Sequence, residues 1–300
     1  MKKLLNGYTI PEVCFGTGIV LKYYYGKENI IGILKYWIKN YLKNKKQYKK
    51  DKTLKQAIVT SMENKCIMFD TSRAYAGSER VLGNALKRYH REDYFISTKL
   101  CNTDQYAGNV KKALLRSLNE LGMDYVDLYL MHWPVEGKYL DSWKEMEQLY
   151  KEGLCKAIGV CNCNIHHLKE IEKIAEIMPM VNQIECHPLF TQNELREYCK
   201  SKGIQIMAYT STGRMDERLS KTILVDIASK YNKSITQVIL KWHQLIGNIP
   251  IVNSTSKAHI IENMQLDDFT LTENEVNKIT AININSRLRY DPDNCDFTKL

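Results

Sequence analysis

Four residues whose side chains can hold or move a proton follow short apolar runs in the first half of the sequence. Asp70 ends CIMFD, Lys99 lies in ISTKL, His132 follows VDLYLM, and Tyr75 comes five residues after Asp70. A phenol has an ordinary pKa of about 10, so it serves as a general acid near neutral pH only when its phenolate is stabilised. A nearby lysine ammonium would lower that pKa, and a carboxylate would hold the ammonium charged. The imidazole could orient a carbonyl oxygen or relay its proton.

Each of the four residues also has an ordinary structural role when it is taken alone. An aspartate before threonine can cap a turn, a lysine is usually solvated, and a tyrosine or histidine often packs in a core. The four side chains can act together only if the apolar runs before them lie side by side.

Eight short apolar runs alternate with segments whose apolar residues recur at helical spacing, from EVCFGTG (residues 12–18) to NIPIVNS (residues 248–254). This alternation predicts a parallel sheet, and eight such units close into a (β/α)8 TIM barrel. The carboxyl ends of barrel strands form one mouth, so the four side chains are expected at one rim. The pair Asn6-Gly7 predicts an N-terminal β-hairpin at the barrel's lower end. We expect residues 1–300 to form a single domain.

The later strands end in amides, hydroxyls and one aromatic ring, which predict an elongated polar groove. Amides can hold a carboxamide by paired hydrogen bonds, an aromatic face can stack on a flat ring, and loop hydroxyls can contact phosphates. The residues are Cys161 and Asn162 after the fifth strand, Asn182, Gln183 and Glu185 on the sixth, Tyr209, Thr210, Ser211 and Thr212 after the seventh, and Asn253 and Ser254 after the eighth.

The segment at about residues 20–52 is far longer than a usual loop between a strand and a helix. Part of it has apolar residues at helical spacing, and residues 35–55 hold nine lysines against Asp51 alone. The sequence therefore predicts a long, lysine-rich, helical insertion after the first barrel strand. Its basic face can be simply solvated, or it can bind an anionic partner.

Composition excludes several classes of protein. The nine cysteines are an odd number without paired CxxC spacing, which favours reduced thiols over disulfides or zinc, and no metal is expected. We expect no membrane span, because no stretch of about 18 apolar residues occurs, and the absence of an apolar leader after Met1 predicts a cytoplasmic protein. The lysine run has no recognition motif around it, so no nucleic acid partner is expected.

The motifs FDTSRAYAGSE, ISTKL, LMHWP, GVCN, VNQIECHP, AYTSTG and IIEN, in this order, resemble those of the aldo-keto reductase family over nearly the whole chain. The resemblance implies a catalytic tetrad of Asp70, Tyr75, Lys99 and His132. It implies NADP(H) as the cofactor, with NAD(H) as the alternative. The implied cofactor contacts are Cys161, Asn162 and Gln183 at the carboxamide, Tyr209 on the nicotinamide ring, Thr210 and Thr212 at the pyrophosphate, and Asn253, Ser254, Lys257, His259, Glu262 and Asn263 around the adenosine.

The chain departs from the family's pattern in the expected cofactor groove. Cys161 replaces the usual serine and is a weaker hydrogen-bond donor. Asn253 and His259 replace the customary lysine and arginine around the adenosine 2′-phosphate. Lys257 can supply a charge there, but a flexible ammonium does not reproduce a planar guanidinium.

The expected function is NAD(P)H-dependent reduction of an aldehyde, ketone or sugar carbonyl to an alcohol, with Tyr75 as the general acid. The alternative is a cofactor-binding regulatory or scaffold subunit that binds a partner through the basic insertion. The candidate substrate contacts are Tyr23, Tyr24, Tyr25, Trp37 and Trp133, of which the first four can instead anchor the insertion.

Overall fold

The computed structural model describes residues 1–18, 33–75 and 77–299, with the backbone alone for 33–47 and for 299. Tyr23, Tyr24 and Tyr25 lie outside the described residues, and so does the side chain of Trp37. Their assignment to the substrate site stays a prediction.

Eight parallel strands form a closed barrel, which confirms the predicted (β/α)8 architecture. The first barrel strand pairs with the last, so the sheet closes on itself. The central strands are buried at every position, which explains why their runs are continuously apolar rather than alternating. The hairpin strands are β1 (Lys2–Lys3) and β2 (Thr9–Ile10), and the barrel strands are β3 (Cys14–Gly16), β4 (Met68–Asp70), β5 (Phe95–Leu100), β6 (Val126–Met131), β7 (Cys155–Cys161), β8 (Val181–Glu185), β9 (Gln205–Tyr209) and β10 (Ile249–Val252).

The predicted N-terminal hairpin lies at the end of the barrel where the strands begin. β1 and β2 are antiparallel, and Gly7 takes a left-handed φ of 83° in the turn between them. The Asn6 amide donates to the carbonyl of Lys156 at the start of β7, and the Tyr8 hydroxyl donates to Asp127 at the start of β6. These contacts confirm the hairpin and place it opposite the mouth.

Helices surround the barrel and begin and end at residues suited to those positions. In the fourth helix the buried residues recur at helical spacing from Val110 to Leu121, and Gly122 ends it with a φ of 67°. The ninth begins with a capping box formed by Ser234 and Gln237. The described α-helices are α1 (Ile33–Glu63), α2 (Ser78–Leu86), α3 (Asn102–Tyr106), α4 (Val110–Leu121), α5 (Tyr139–Lys151), α6 (Ile165–Ile174), α7 (Asn193–Ser201), α8 (Leu224–Tyr231), α9 (Ile235–Leu245), α10 (Lys257–Met264) and α11 (Glu273–Thr280).

Helix α1 is one continuous helix of 31 residues. The described backbone runs from the segment predicted as a helical insertion, at about residues 20–52, into the helix that precedes β4 without a break. Leu54, Ala57 and Ile58 on its second half are buried in the core, so this half packs as an ordinary barrel helix. The interpretation of residues 20–52 as an insertion, and of residues 1–300 as a single domain, stays a prediction.

The packing of α2 on α4 depends on the absence of a side chain at Gly83. A Cβ atom built on Gly83 would overlap the carbonyl oxygen of Leu121, the last residue of α4. The obstacle is backbone, which cannot rotate aside as a flexible side chain can. Since α2 follows directly after the loop that carries Tyr75, this close approach helps to fix that loop.

Replacing Gly83 with alanine should therefore lower the free energy of unfolding by about 1–3 kcal/mol, the usual cost of overpacking a tight contact. Chemical denaturation measures this change. The matched control is Asn84→Ala at the next position, where the side chain is exposed and the expected change is within about 0.5 kcal/mol. Equal stabilities of the two variants would show that α2 can move away from α4 without cost.

Candidate active site

A buried ion pair lies where β4 and β5 end. The Lys99 ammonium donates to Asp70 Oδ2 at 2.6 Å and to the carbonyl of Thr71 at 2.9 Å. Both side chains are almost fully buried. The parallel register aligns Asp70 with Ser97, which places Lys99 two residues further along β5 on the same face. Burial is the largest single influence and lowers the pKa of Lys99, but Asp70, Tyr75 and Cys161 together outweigh it, so the pKa is raised.

The second oxygen of Asp70 is held by two further donors. The Ser97 hydroxyl donates to Oδ1 at 3.2 Å, and the Gln183 amide donates to the same oxygen at 2.9 Å. Asp70 therefore accepts hydrogen bonds on both oxygens, which stabilises its ionised form. The sequence analysis did not identify Ser97, although its position two residues before Lys99 puts it on the same face of the strand.

Tyr75 lies beside this pair, on the loop after β4. The centre of its ring is 5.0 Å from Lys99 Nζ, and the ring meets that of His132 edge to face at 5.9 Å. A Cβ atom at Gly18 would lie 3.2 Å from the Tyr75 ring, so glycine there leaves room for it. Burial raises the pKa of Tyr75, and the Lys99 charge opposes that rise. Lys99 thus acts in the expected direction, but desolvation is the larger effect.

His132 follows β6 and completes the cluster at the rim. Burial, with the Lys99 charge, lowers its pKa to about 3. The imidazole is therefore neutral at physiological pH. A neutral imidazole can hold a substrate oxygen by a hydrogen bond, so this favours the orienting role over proton donation.

The amides expected to hold a carboxamide are engaged within the protein. The Asn162 amide donates to the carbonyl of His132 at 3.0 Å, and its oxygen accepts from the Tyr209 hydroxyl at 2.6 Å. Gln183 donates to Asp70, as described above. These bonds fix Asn162 at the same rim as the tetrad and hold the Tyr209 ring beside it. The role of Asn162, Gln183 and Tyr209 toward a cofactor stays a prediction.

The remaining groove residues lie along the ends of β7 to β10. Cys161 is buried, and burial raises the pKa of its thiol, so it remains protonated. Thr210 has a left-handed φ of 51°, and the buried Ser211 donates to the carbonyl of Ile251. At the eighth strand end Asn253, Lys257 and His259 are exposed, Ser254, Glu262 and Thr212 are partly buried, and Asn263 is buried. No contact among the described residues assigns these side chains to a ligand.

On the other side of the mouth the C-terminal tail covers residues next to the tetrad. Phe297 packs on Trp133 with ring centres 6.1 Å apart, and Trp133 is buried. Glu185, predicted as a groove residue, is buried and accepts backbone hydrogen bonds from Leu288 and Arg289. These tail contacts are not predictable from the sequence, because the polar, irregular sequence of the tail carries no periodicity.

One group of possible metal ligands occurs among the described side chains. The ligand atoms of His166, His167 and Asp293 lie within 4.8 Å of one another. However, His167 Nδ1 accepts the backbone N–H of Asn164, so its Nε2 carries the proton of the neutral ring and points to Asp293. A protonated nitrogen has no lone pair for a metal, so the tautomer fits a helix cap that contacts the tail.

Comparison with known proteins agrees with this geometry. The Aldo/keto reductase family model matches residues 39–284. A glyoxal reductase of Bacillus subtilis is 42% identical over 243 residues, which cover 81% of this chain and 88% of that protein. The protein thus belongs to the aldo/keto reductase family and is an oxidoreductase of the carbonyl-reducing type.

Two solved structures support the fold assignment. An aldo-keto reductase from a Medee basin deep-sea metagenome library is 33% identical, with a TM-score of 0.84 over 99% of this chain and 100% of that one. An aldo-keto reductase of Bombyx mori in complex with NADP is 31% identical, with a TM-score of 0.80 over 97% of this chain and 95% of that one. Within the described residues, no helix combines the length and apolarity needed to cross a membrane.

The lowered pKa of His132 predicts a pH dependence of stability. In the unfolded chain the imidazole takes up a proton below about pH 6.5, whereas in the folded protein it stays neutral down to about pH 3. The contribution of neutral His132 to the free energy of unfolding is therefore complete above pH 6.5 and is lost as the pH falls below that value. Between pH 6.5 and about pH 5 the wild type should lose about 1.5 kcal/mol of stability through His132, and His132→Gln should not show this loss. Urea unfolding at a series of pH values measures it, and parallel curves for the two proteins would contradict it.

Proposed function

We propose that this protein reduces the carbonyl group of a small aldehyde or ketone with NADPH, with Tyr75 as the general acid. The observation that carries the proposal is the buried Asp70–Lys99 pair beside Tyr75, with neutral His132 also against the phenol ring. A charged lysine and a neutral imidazole next to Tyr75 are the neighbours that proton donation to a carbonyl oxygen requires.

The residues at the ends of β7 to β10 fit a nicotinamide cofactor in their chemistry. The flat ring of Tyr209 is partly exposed, and its hydroxyl bond to Asn162 fixes its orientation. Amides and hydroxyls of the types present here can hold a carboxamide and phosphates. When bound, a reduced dinucleotide would supply a hydride, that is, a proton with two electrons, for the carbonyl carbon. The Bombyx mori relative bound to NADP supports NADP(H) as the cofactor of this chain, with NAD(H) as the alternative.

The protein's own residues then manage the oxygen of the substrate. His132 Nε2 or Nδ1 donates a hydrogen bond that holds the carbonyl oxygen near the Tyr75 hydroxyl. As the carbon gains the hydride, the oxygen takes the Tyr75 proton and becomes the alcohol. Lys99 stabilises the resulting phenolate, and Asp70 keeps Lys99 charged throughout.

The name of the glyoxal reductase relative supports a small dicarbonyl compound as the substrate class. Such a substrate presents an aldehyde carbon without steric protection, which suits a site bordered by the buried Trp133 and by Phe297. Glyoxal is therefore the first substrate to test, with NADPH and NADH in parallel.

Replacing Tyr75 with phenylalanine should lower turnover of glyoxal by roughly 10² to 10⁴ while leaving cofactor affinity unchanged, because only the proton donor is lost. Turnover is followed by cofactor oxidation and affinity by fluorescence titration. Tyr8→Phe is the matched control, since Tyr8 lies at the opposite end of the barrel. Near-normal turnover of Tyr75→Phe would remove the phenol from the acid role.

A further inference from the structure

A groove of about 1090 Å³ lies on the outer side of the barrel, between α1, α2 and α10. Its described lining residues do not include any member of the tetrad, so it is distinct from the catalytic mouth. The residues that decide its chemistry are Lys52, Lys55, Arg80, Arg88, Lys257 and Asp51.

Five of these six residues are cationic, and they come from three separate parts of the chain. Lys52 and Lys55 belong to α1, Arg80 belongs to α2, Arg88 lies in the turn after α2, and Lys257 begins α10. Asp51 is the one carboxylate among the described lining residues, and it contacts Arg80 at 3.7 Å. A concave surface with such an excess of positive charge concentrates anions.

Helix α1 presents its two lysines on one face, because Lys52 and Lys55 are three residues apart. The buried residues Leu54 and Ile58 anchor α1 to the core from its other side. Core packing therefore sets the position of this lysine face.

The uncharged polar residues of the groove suit a phosphate better than a carboxylate. Gln56 and Asn84 offer amide donors and Thr255 offers a hydroxyl, next to the arginine and lysine head groups. A phosphate dianion has more acceptor oxygens and more charge than a carboxylate, and it uses such a mixed set of donors well.

The groove also reaches the loop that precedes α10. Thr255 and Lys257 line it, and Ser254 is their neighbour along the chain. Ser254 and His259 stand where the family resemblance implies the adenosine 2′-phosphate. Lys52 and Lys55 therefore line the same groove as Lys257, which precedes His259 by two residues along the chain.

We propose that this groove binds phosphate groups, and that Lys52 and Lys55 of α1 and Lys257 of α10 are its main cationic contacts. The phosphate can belong to the adenosine end of the cofactor or to a separate phosphorylated compound. The first source rests on the proposed function, whereas the second does not.

Calorimetric titration of the full chain tests this proposal without any need for turnover. The probes are adenosine 2′,5′-bisphosphate, adenosine 5′-monophosphate and inorganic tripolyphosphate. The test variant is K52Q/K55Q. The matched control is K49Q/K50Q, which removes the same charge from exposed residues of the same helix that do not belong to the groove's described lining.

We expect K52Q/K55Q to weaken phosphate binding by about tenfold, and the control variant to weaken it by less than about twofold. If K52Q/K55Q loses affinity for adenosine 2′,5′-bisphosphate but not for adenosine 5′-monophosphate, the groove binds the cofactor's 2′-phosphate. Loss of affinity for tripolyphosphate, with the bisphosphate unaffected, assigns it to a separate phosphorylated ligand. If both probes weaken, one groove takes both.

Equal affinities of K52Q/K55Q and K49Q/K50Q for every probe would overturn the proposal, because the lysines would then contribute only general positive charge. So would wild-type protein that binds none of the probes at low salt. Lys257→Gln changes the groove from a different helix and should weaken binding in the same direction as K52Q/K55Q. This variant keeps the proposal testable if the double variant does not fold.

Discussion

The buried ion pair between Asp70 and Lys99 is the interaction on which the candidate site depends. An ammonium loses its hydration when it is buried almost completely, and this cost is offset only if a partner charge and further acceptors replace the water. Asp70 and the Thr71 carbonyl provide these partners for Lys99. Gln183 reaches Asp70 from β8, on the far side of the barrel from β4, so the pair is held across the interior. Closure of the sheet is what makes this arrangement possible.

The same cation sets the protonation states around it. Lys99 opposes the rise that burial causes in the pKa of the Tyr75 phenol, and it adds to the fall that burial causes in the pKa of His132. The result is a charged lysine, a protonated phenol and a neutral imidazole within a few ångströms. In the proposed mechanism these three groups are the acid, the stabiliser of its conjugate base and a hydrogen-bond donor, and their arrangement before substrate binds would save reorganisation during the reaction.

The sequence predicted the barrel, the hairpin and the convergence of the tetrad. These features follow from the spacing of apolar residues, from the Asn-Gly turn and from the residues that end the strands. Asp70, Lys99 and His132 each end an apolar run, and parallel strands bring such ends together. Other features needed the three-dimensional structure. The hydrogen bond from Gln183 to Asp70 depends on the distance across the barrel. The continuity of α1 is not signalled by any single residue of the sequence. The tail contacts of Glu185 and Phe297 join segments with no shared periodicity.

The most direct test of this account is the pH profile of carbonyl reduction by Lys99→Met compared with the wild type. Loss of the ammonium removes the charge that lowers the pKa of Tyr75 and leaves Asp70, which raises it. Initial rates with glyoxal and NADPH, each normalised to its own maximum, would be measured from neutral to alkaline pH, with cofactor binding as the check on folding. The alkaline decline of the rate should move to higher pH in the variant. An alkaline decline at the same pH in both proteins would show that Lys99 does not control the proton of Tyr75.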